Sequence, residues 1–503
     1  MNILLITADQ WRSNYLSYLG HPVVKTPNLD SLAKEGVTFC NHFAQATPCA
    51  PSRVSLHTGM YMFNHRCTTN GTPTSFRYTN WAIETGKAGY TTSLFGYTDT
   101  SADPTGLDIN DKRLTHYSEP LPGLDYFTPI LDEVSEDWVH DLIAKNYAIP
   151  DRLWDLCGMR EDGATWHEGG EKILPHAIPA EDSETWFMVD KCIDWIKNQK
   201  TSWVSHLSLL RPHPPFVAPA PYHNMYADSN LPTSRQKNTK SEQAELHPYL
   251  EYIMNNKSHH CPEDEKLLHE RHVNYCGLVR EVDDNLGRLF SYLRETNQWE
   301  NTLIICTSDH GEQMGDHWLM GKSGFYDESY HIPLIIKDPT QAANGTRGVK
   351  FNHFSENIDI MPTMLDWIGH PIPTQCDGKS LLNAIRGESI PDNWRSAVHF
   401  EYDFRDIIDQ SAEKKLQLHS DQCTLSVIRT DKYKYVHFAA LPPLLFDLEK
   451  DPNEYVNVAS DSSYATVMLE CLQQLMSHRM QFNDRAFTHS TTTKQGLFTR
   501  PLH

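Results

Sequence analysis

Four short strand-like runs, each broken at its carboxyl end by polar residues, constrain this chain more than any other feature. Ile3 to Ile6 stops at Thr7-Ala8-Asp9-Gln10, and Thr91 to Phe95 stops at Gly96-Tyr97. Trp203 to Leu210 stops at Arg211-Pro212-His213, and Thr302 to Cys306 stops at Thr307-Ser308-Asp309-His310. The continuous apolar run at Ile3 to Ile6 suits a strand covered on both faces of a parallel sheet. After the first run, Thr26-Pro27-Asn28-Leu29-Asp30 through Gly36 reads as a helix: Thr26 as its cap, Pro27 in its first turn, Gly36 as its stop. Strand followed by helix, repeated, predicts an α/β fold. In such sheets the carboxyl edge, where the polar residues gather here, is where ligands bind.

The remaining segments fill in around that sheet. Residues 101 to about 180 are rich in Asp, Pro and Gly and read as surface loops and short helices over the site. Residues 264 to 295 read as a helix, with Val282, Leu286, Leu289 and Leu293 on one face. Beyond residue 375 the pattern turns antiparallel. Thr424 to Arg429 and Tyr433 to Phe438 flank Thr430-Asp431-Lys432 as a hairpin, and Leu444 to Asp447 follows as a third strand. The predicted organisation is an α/β catalytic domain over 1–375, an antiparallel subdomain over 376–480, and a tail over 481–503 whose Phe, Leu and Arg residues suit contact between subunits.

Charge and cysteine usage exclude several function classes. The formal charge of −21 repels nucleic acid, so a small anionic substrate would need local cations, supplied by a metal, an arginine and a lysine. The eleven cysteines are odd in number and form no C-x-x-C pair, which argues against a disulfide framework and a structural zinc cluster. Most read as small buried apolar side chains. No apolar run reaches the ~18 residues of a membrane helix, and no secretory leader is visible, so the expected location is the cytoplasm, without a membrane partner.

The sharpest motif is Pro48-Cys49-Ala50-Pro51-Ser52-Arg53, followed by Leu56-His57-Thr58-Gly59. Cys49 precedes a helix expected to begin near Pro51, where the helix N-terminus favours an oxyanion, and Arg53 lies one turn on as a fixed cation. The motif resembles the C-x-P-S-R signature of the sulfatases. That resemblance implies an alkaline-phosphatase-like mostly parallel sheet and oxidation of Cys49 to formylglycine by a formylglycine-generating enzyme. It also implies one divalent metal held by Asp9, Asp309, His310 and the oxygen of residue 49.

Departures from the common sulfatase pattern are informative. Asp9-Gln10 stands where two acids are usual, Asp309-His310 where Asp-Asn is common, and Gly96-Tyr97-Thr98-Asp99 where Gly-Lys-x-His is expected. One carboxylate fewer and one imidazole more favours Mn, Fe or Zn, with Ca still open. The same departures resemble the phosphonate monoester hydrolases and their arylsulfatase-active relatives. The resemblance runs nearly end to end, through Asp9-Gln10-Trp11-Arg12, Asn64-His65-Arg66, Arg211-Pro212-His213-Pro214-Pro215-Phe216, Phe404-Arg405-Asp406 and Gln495-Gly496-Leu497.

By position the resemblance implies Gln10, Asn70 and Tyr97 in the anion pocket, and His213 and Lys322 at the ester oxygens or leaving group. Asp99 takes a place where that subgroup tends to carry threonine, and it would repel an anion unless protonated or turned away. The implied reaction cleaves phosphonate monoesters, phosphodiesters or sulfate monoesters through a covalent hemiacetal ester on residue 49, with Arg53 and Lys322 stabilising charge and His213 serving the leaving alcohol. Two other readings stand beside it, a dedicated sulfatase and an inactive binding protein on the same fold. Subunits are expected to form a homotetramer. His317 and Tyr326 read as structural, His259-His260-Cys261 as surface, and His65 and Arg66 as either helix-end order or substrate contact.

Overall fold

The computed structural model describes residues 1–131, 134–166, 170–256 and 259–500. The strands in chain order are β1 (Asn2–Ala8), β2 (Val37–Phe43), β3 (Ala46–Thr47), β4 (Thr91–Gly96), β5 (Tyr126–Pro129), β6 (Trp203–Leu209), β7 (Thr302–Thr307), β8 (Leu334–Lys337) and β9 (Val349–Glu356). All but β3 form one sheet in the order β5-β4-β6-β1-β7-β8-β2-β9. The pairs are parallel except β7 with β8 and β8 with β2. The four predicted runs are the four adjacent central strands β4, β6, β1 and β7, so their polar ends lie side by side.

Both faces of this sheet are covered, as the unbroken apolar character of β1 requires. Leu4 and Ile6 face a core shared with helices α1 (Pro27–Glu35), α4 (Glu184–Lys197) and α5 (Glu265–Glu295). Ile3 and Leu5 face the opposite core, built with α2 (Cys49–Thr58), α3 (Trp81–Lys87) and α6 (Ile360–Trp367). The predicted helix over 264–295 is α5, and its face of Val282, Leu286, Leu289 and Leu293 is wholly buried.

The cap of α1 differs from expectation. Thr26 makes no side-chain cap and bonds the Ser17 hydroxyl instead. The carboxylate of Asp283, from α5, accepts the Asn28 and Leu29 N–H groups at 3.1 and 2.8 Å. Gly36 ends the helix in extended backbone, because a Cβ there would collide with the carbonyl oxygen of Ile336 on β8. Within residues 101–180 the loops carry a nine-residue helix over Glu136–Ala144, one of the short helices expected there, and the edge strand β5, which the weak periodicity does not predict.

A second sheet of five strands lies past the first, in the order β13-β12-β11-β10-β3, with β10 (Ala397–Asp403), β11 (Thr424–Thr430), β12 (Tyr433–Phe438) and β13 (Leu444–Asp447). Its antiparallel hairpin and third strand match the expectation. Strand β3, from just before Cys49, pairs with β10 in parallel and ties the second sheet to the nucleophile segment. One face packs Phe400, Val427 and Phe438 against Tyr249, Phe325 and Tyr330; the other holds helix α7 (Ala465–Phe482) through Cys471 and Leu475. The tail forms the hairpin β14 (Ser490–Thr493) and β15 (Gly496–Thr499); 501–503 lie outside the described residues. All eleven cysteines are free and all but Cys40 are buried, and no described helix is long and apolar enough to cross a membrane.

Candidate active site

The site forms where β1, β4, β6 and β7 end. After Asp9 the chain turns sharply: Gln10 adopts φ +65°, uncommon for a residue with a Cβ, and its N–H then meets Asp309 Oδ1 at 3.2 Å. The same oxygen accepts the N–H of His310 at 2.9 Å. Gly96, at φ +110°, closes β4 where any Cβ would strike the carbonyl of Ser208, and so delivers the Tyr97 carbonyl to Arg53.

Helix α2 begins at Cys49 itself, two residues earlier than Pro51 suggests. The Ala50 N–H donates to Asn70 Oδ1 at 2.9 Å, and the Ser52 hydroxyl bonds the carbonyl of Asp309. The whole helix is buried. Asn70, predicted as a pocket residue, thus caps the nucleophile's own helix while its surface remains exposed at the cleft mouth.

Arg53 organises the acids. Its Nε donates to Asp309 Oδ2 at 2.8 Å and its Nη2 to Asp9 Oδ2 at 3.0 Å, while its Nη1 reaches the Tyr97 carbonyl at 2.9 Å and the Ser208 hydroxyl at 2.7 Å. The Tyr97 hydroxyl also bonds Asp9 Oδ2. Those bonds leave Asp9 Oδ1 buried with no hydrogen-bond partner. His310 turns its Nδ1–H to the Gly311 carbonyl at 3.1 Å, so its Nε2 presents a lone pair 3.2 Å from Cys49 Sγ, 3.6 Å from Asp9 Oδ1 and 3.5 Å from Asp309 Oδ2. One ligand atom from each of Asp9, Cys49, Asp309 and His310 lies within 4.8 Å of the others, and all four residues are buried.

An orphaned carboxylate oxygen, a second carboxylate and an imidazole whose tautomer a carbonyl fixes are a donor set that suits a divalent cation. A buried carboxylate oxygen without a partner is otherwise costly.

The charge states follow from the same packing. Burial alone would raise the Asp9 carboxyl, but His213, Lys322, His310 and Arg53 outweigh it and hold Asp9 well below the usual range. Burial, with Asp9 beside it, pushes the Cys49 thiol far up, so an unmodified thiol is a poor nucleophile here. Burial opposes the charge on Lys322, yet Cys49, Asp9 and Asp309 keep it an ammonium, and its Nζ donates to Gln10 Oε1 at 2.7 Å.

Burial lowers His213 to about 3, with Lys322 adding to the shift. Its Nδ1 lies 2.6 Å from the Pro214 carbonyl, which can only accept, so Nε2 is the free acceptor. Asp99 stands at φ +49° with Oδ2 3.9 Å from Arg53 Nε and Oδ1 3.4 Å from the Ser118 hydroxyl. Burial raises its carboxyl to about 7, Arg53 working against the shift.

Other candidates find structural places. His317 stacks on Tyr326 with ring centres 3.6 Å apart. His65 Nε2 lies 2.9 Å from the Ser55 hydroxyl and its Nδ1 accepts the Cys67 N–H, which favours helix-end order over substrate contact; Arg66 closes that helix in left-handed backbone. The surface reading of His259-His260-Cys261 holds for His260, which is exposed, and is corrected for the other two: Cys261 is fully buried, and His259 is half-buried and bonds the Ser323 hydroxyl at 3.1 Å.

Two residues escaped sequence reasoning. Glu312 accepts from Gln10 and from the N–H groups of Met314 and Gly321, fixing the loop that carries Lys322. Ser208 anchors Arg53. Glu312 sits in the Asp309-His310-Gly311-Glu312 run; nothing in the sequence marks Ser208.

The family description of the sulfatases matches residues 1–370, well over half the chain. This chain belongs to the sulfatase family. The family works with a metal ion and a formylglycine, and its members are hydrolases. A second description, that of the N-sulphoglucosamine sulphohydrolase C-terminal region, matches residues 315–481 of this sulfatase-family hydrolase. It is 41% identical to the multifunctional alkaline phosphatase superfamily protein PehA of Trinickia caryophylli, over 99% of each chain. It is 28% identical to an arylsulfatase of Clostridium perfringens, over 98% of this chain and 97% of that one. Among solved structures, the phosphonate monoester hydrolase of Agrobacterium radiobacter superposes with a TM-score of 0.94 at 39% identity, over 99% of both chains.

Proposed function

We propose that this chain hydrolyses phosphonate monoesters, phosphodiesters and sulfate monoesters by a covalent route through residue 49, with one divalent metal. The observation that carries this reading is the convergence of the unpartnered Asp9 Oδ1 with Asp309, His310 Nε2 and residue 49, beside two fixed cations. Asp9, Asp309, His310 and residue 49 would hold the ion. When bound, the metal supplies positive charge at the ester oxygens and the hydrated aldehyde supplies an oxygen nucleophile.

The chain's own residues do the rest. Arg53 fixes both metal-binding carboxylates and offsets one of their two negative charges. Lys322, kept an ammonium by its acidic neighbours and positioned by Gln10, faces the developing charge on the ester. Tyr97 orients Asp9 and lines the pocket, and Asn70 sets the first turn of α2. His213 presents an unprotonated Nε2; the anionic ester raises its basicity, so that it takes up a proton from solvent on substrate binding and passes that proton to the departing alkoxide. The likeness to a protein named phosphonate monoester hydrolase supports placing phosphonate monoesters first among substrates. The reading also includes a cytoplasmic location, maturation by a formylglycine-generating enzyme and assembly as a homotetramer.

The experiment is peptide mass spectrometry around Cys49 on protein from its native host, joined to a panel of the three ester classes. A loss of ~18 Da, the difference between thiol and aldehyde, marks the nucleophile. The Cys49→Ala protein then loses activity by at least a thousandfold, on the order expected for removing a covalent nucleophile. An unmodified cysteine in fully active protein would sink the reading, and turnover confined to the sulfate monoester would identify a dedicated sulfatase instead.

A further inference from the structure

Beyond the charged pocket the site continues into a cleft of about 600 Å³ whose walls differ in kind. One side of its lining is polar, with Asn70 and Lys322; the other, outer wall is the segment after β10, with Tyr252. The charges on that outer wall are already spent. Arg405 binds both oxygens of Asp403 at 2.8 and 2.9 Å and reaches Asp421 at 3.1 Å. Asp406 accepts the N–H groups of Ile408, Asp409 and Ser411 at 3.3, 3.0 and 3.1 Å, closing a tight turn. The Tyr252 hydroxyl is paired with Ser411 at 3.1 Å.

That pairing leaves an apolar surface toward the cleft. Phe404 is buried at its base, while Ile407 is 68% and Ile408 90% exposed at its rim. Two consecutive isoleucines on a turn pinned by Asp406 are held in water at a cost that contact with an apolar group would relieve. The cleft is continuous with Lys322, so the group that reaches it is attached to the ester itself.

We propose that this cleft receives the uncharged organic group carried on the ester oxygen, and that Ile407 and Ile408 select for aryl or branched alkyl groups over methyl, sugar or charged ones. The proposal rests on the hydrolase reading above and names the substrate class of that same site. Binding here acts on the ground state as much as on the transition state, so it appears in KM rather than kcat. A second copy of the chain covering the two isoleucines is the competing occupant, and the test separates it.

The test compares the wild-type holoenzyme with the Ile407→Ser/Ile408→Ser protein on the phenyl and the methyl ester of methylphosphonic acid. Taking the variant-to-wild-type ratio for each ester cancels the difference in leaving-group chemistry. The expected result is a KM about tenfold higher for the phenyl ester, kcat within twofold, and an unchanged KM for the methyl ester. Both positions are exposed, so an unaltered melting temperature is expected, and Ile408→Leu serves as a second variant that keeps the phenyl KM. Equal effects on the two esters, or none on either, would overturn the proposal. So would a change in mass by light scattering, which would assign the patch to a subunit contact. If wild-type enzyme turns over neither ester, the hydrolase reading fails first; if it turns over both and the variant does not discriminate, only this inference falls.

Discussion

Asp99 shows how much one side chain in a shared pocket can change. Its carboxyl sits beside Arg53 where an anionic ester must approach, and burial raises it to about 7. Below pH 7 it is mostly protonated and presents a hydrogen-bond donor; above, it adds a negative charge to the pocket. The sign for catalysis is therefore a kcat/KM that falls as pH rises through 7, beyond any fall due to other groups. Replacing it by threonine should flatten that limb and raise kcat/KM about tenfold at pH 8.5, since a unit charge several ångströms away in a partly solvated site is worth at least ~1.4 kcal/mol.

Folding follows the same sign. Because the folded value lies above the unfolded one, ionisation costs stability as pH climbs from about 4 to 7. Between pH 4 and pH 8 the metal-free Asp99→Thr protein should therefore gain on wild type by on the order of a few kcal/mol, from a pH 4 baseline lowered by the strain of a β-branched residue at φ +49°. Parallel pH profiles for the two proteins would show that Asp99 is already neutralised by its surroundings. The residues of the candidate site could be picked out because each is a distinct group in a short motif, and Asp9, Cys49, Arg53, Asp309 and His310 converge in space. Ser208 and Glu312 could not, because their roles depend on which strand ends become neighbours, and that is decided by sheet order.

At the scale of elements, β1 and β7 were legible because burial on both faces leaves a nearly unbroken apolar run, whereas β4 and β6 carry buried polar residues within them and their ends were read from the glycine or proline that follows. The helix caps were less so. Thr26 has the right chemistry and place to cap α1, but its hydroxyl is taken by Ser17, and the cap arrives from Asp283 on α5, more than 250 residues away. Burial holds that carboxyl up at about 6, its bonds to Leu29 and Asn28 working against the shift, so its charge matters less than its two acceptor oxygens. Two outcomes follow. Asp283→Asn, which keeps one acceptor but turns an NH2 toward donors, should cost about 1 kcal/mol, whereas Asp283→Ala, which takes the acceptor from the buried Leu29 N–H and the part-buried Asn28 N–H, should cost about 2–3 kcal/mol. Urea unfolding of both proteins checks the order. Equal losses would mean the carboxylate's charge, not its geometry, holds α1 to α5. In either variant kcat should stay within twofold, because α1 touches none of the catalytic groups.

For the whole molecule, the tail is the part whose form does not explain itself within one chain. Its root is tied down: the Asp484 N–H donates to Asn64 Oδ1 at 3.0 Å, and Arg485 pairs with Asp377 at 3.3 Å. Past that root, β14 and β15 form a hairpin that is exposed nearly throughout, with Leu497 68% and Phe498 60% exposed and Phe487 80% exposed before it. A lone two-stranded hairpin is marginal in water, and a hairpin that also bares aromatic and aliphatic side chains needs a surface to lie on. Nothing among the described residues of the same chain supplies one, which is the physical ground for the proposed homotetramer. The sequence pointed to the tail by its unplaced Phe and Leu but not to a hairpin, because Ser490 to Thr499 has no inward face to impose alternation. Ending the chain after Phe487 should therefore lower the assembly state seen by light scattering at micromolar concentration while leaving kcat within about twofold, since every group at the sheet edge comes from upstream. A full-length protein already monomeric at that concentration would remove the reason for the hairpin. A truncated protein that stays a tetramer would move the subunit contact elsewhere, with the exposed Leu469, Met476 and Met480 of α7 as the next surface to test.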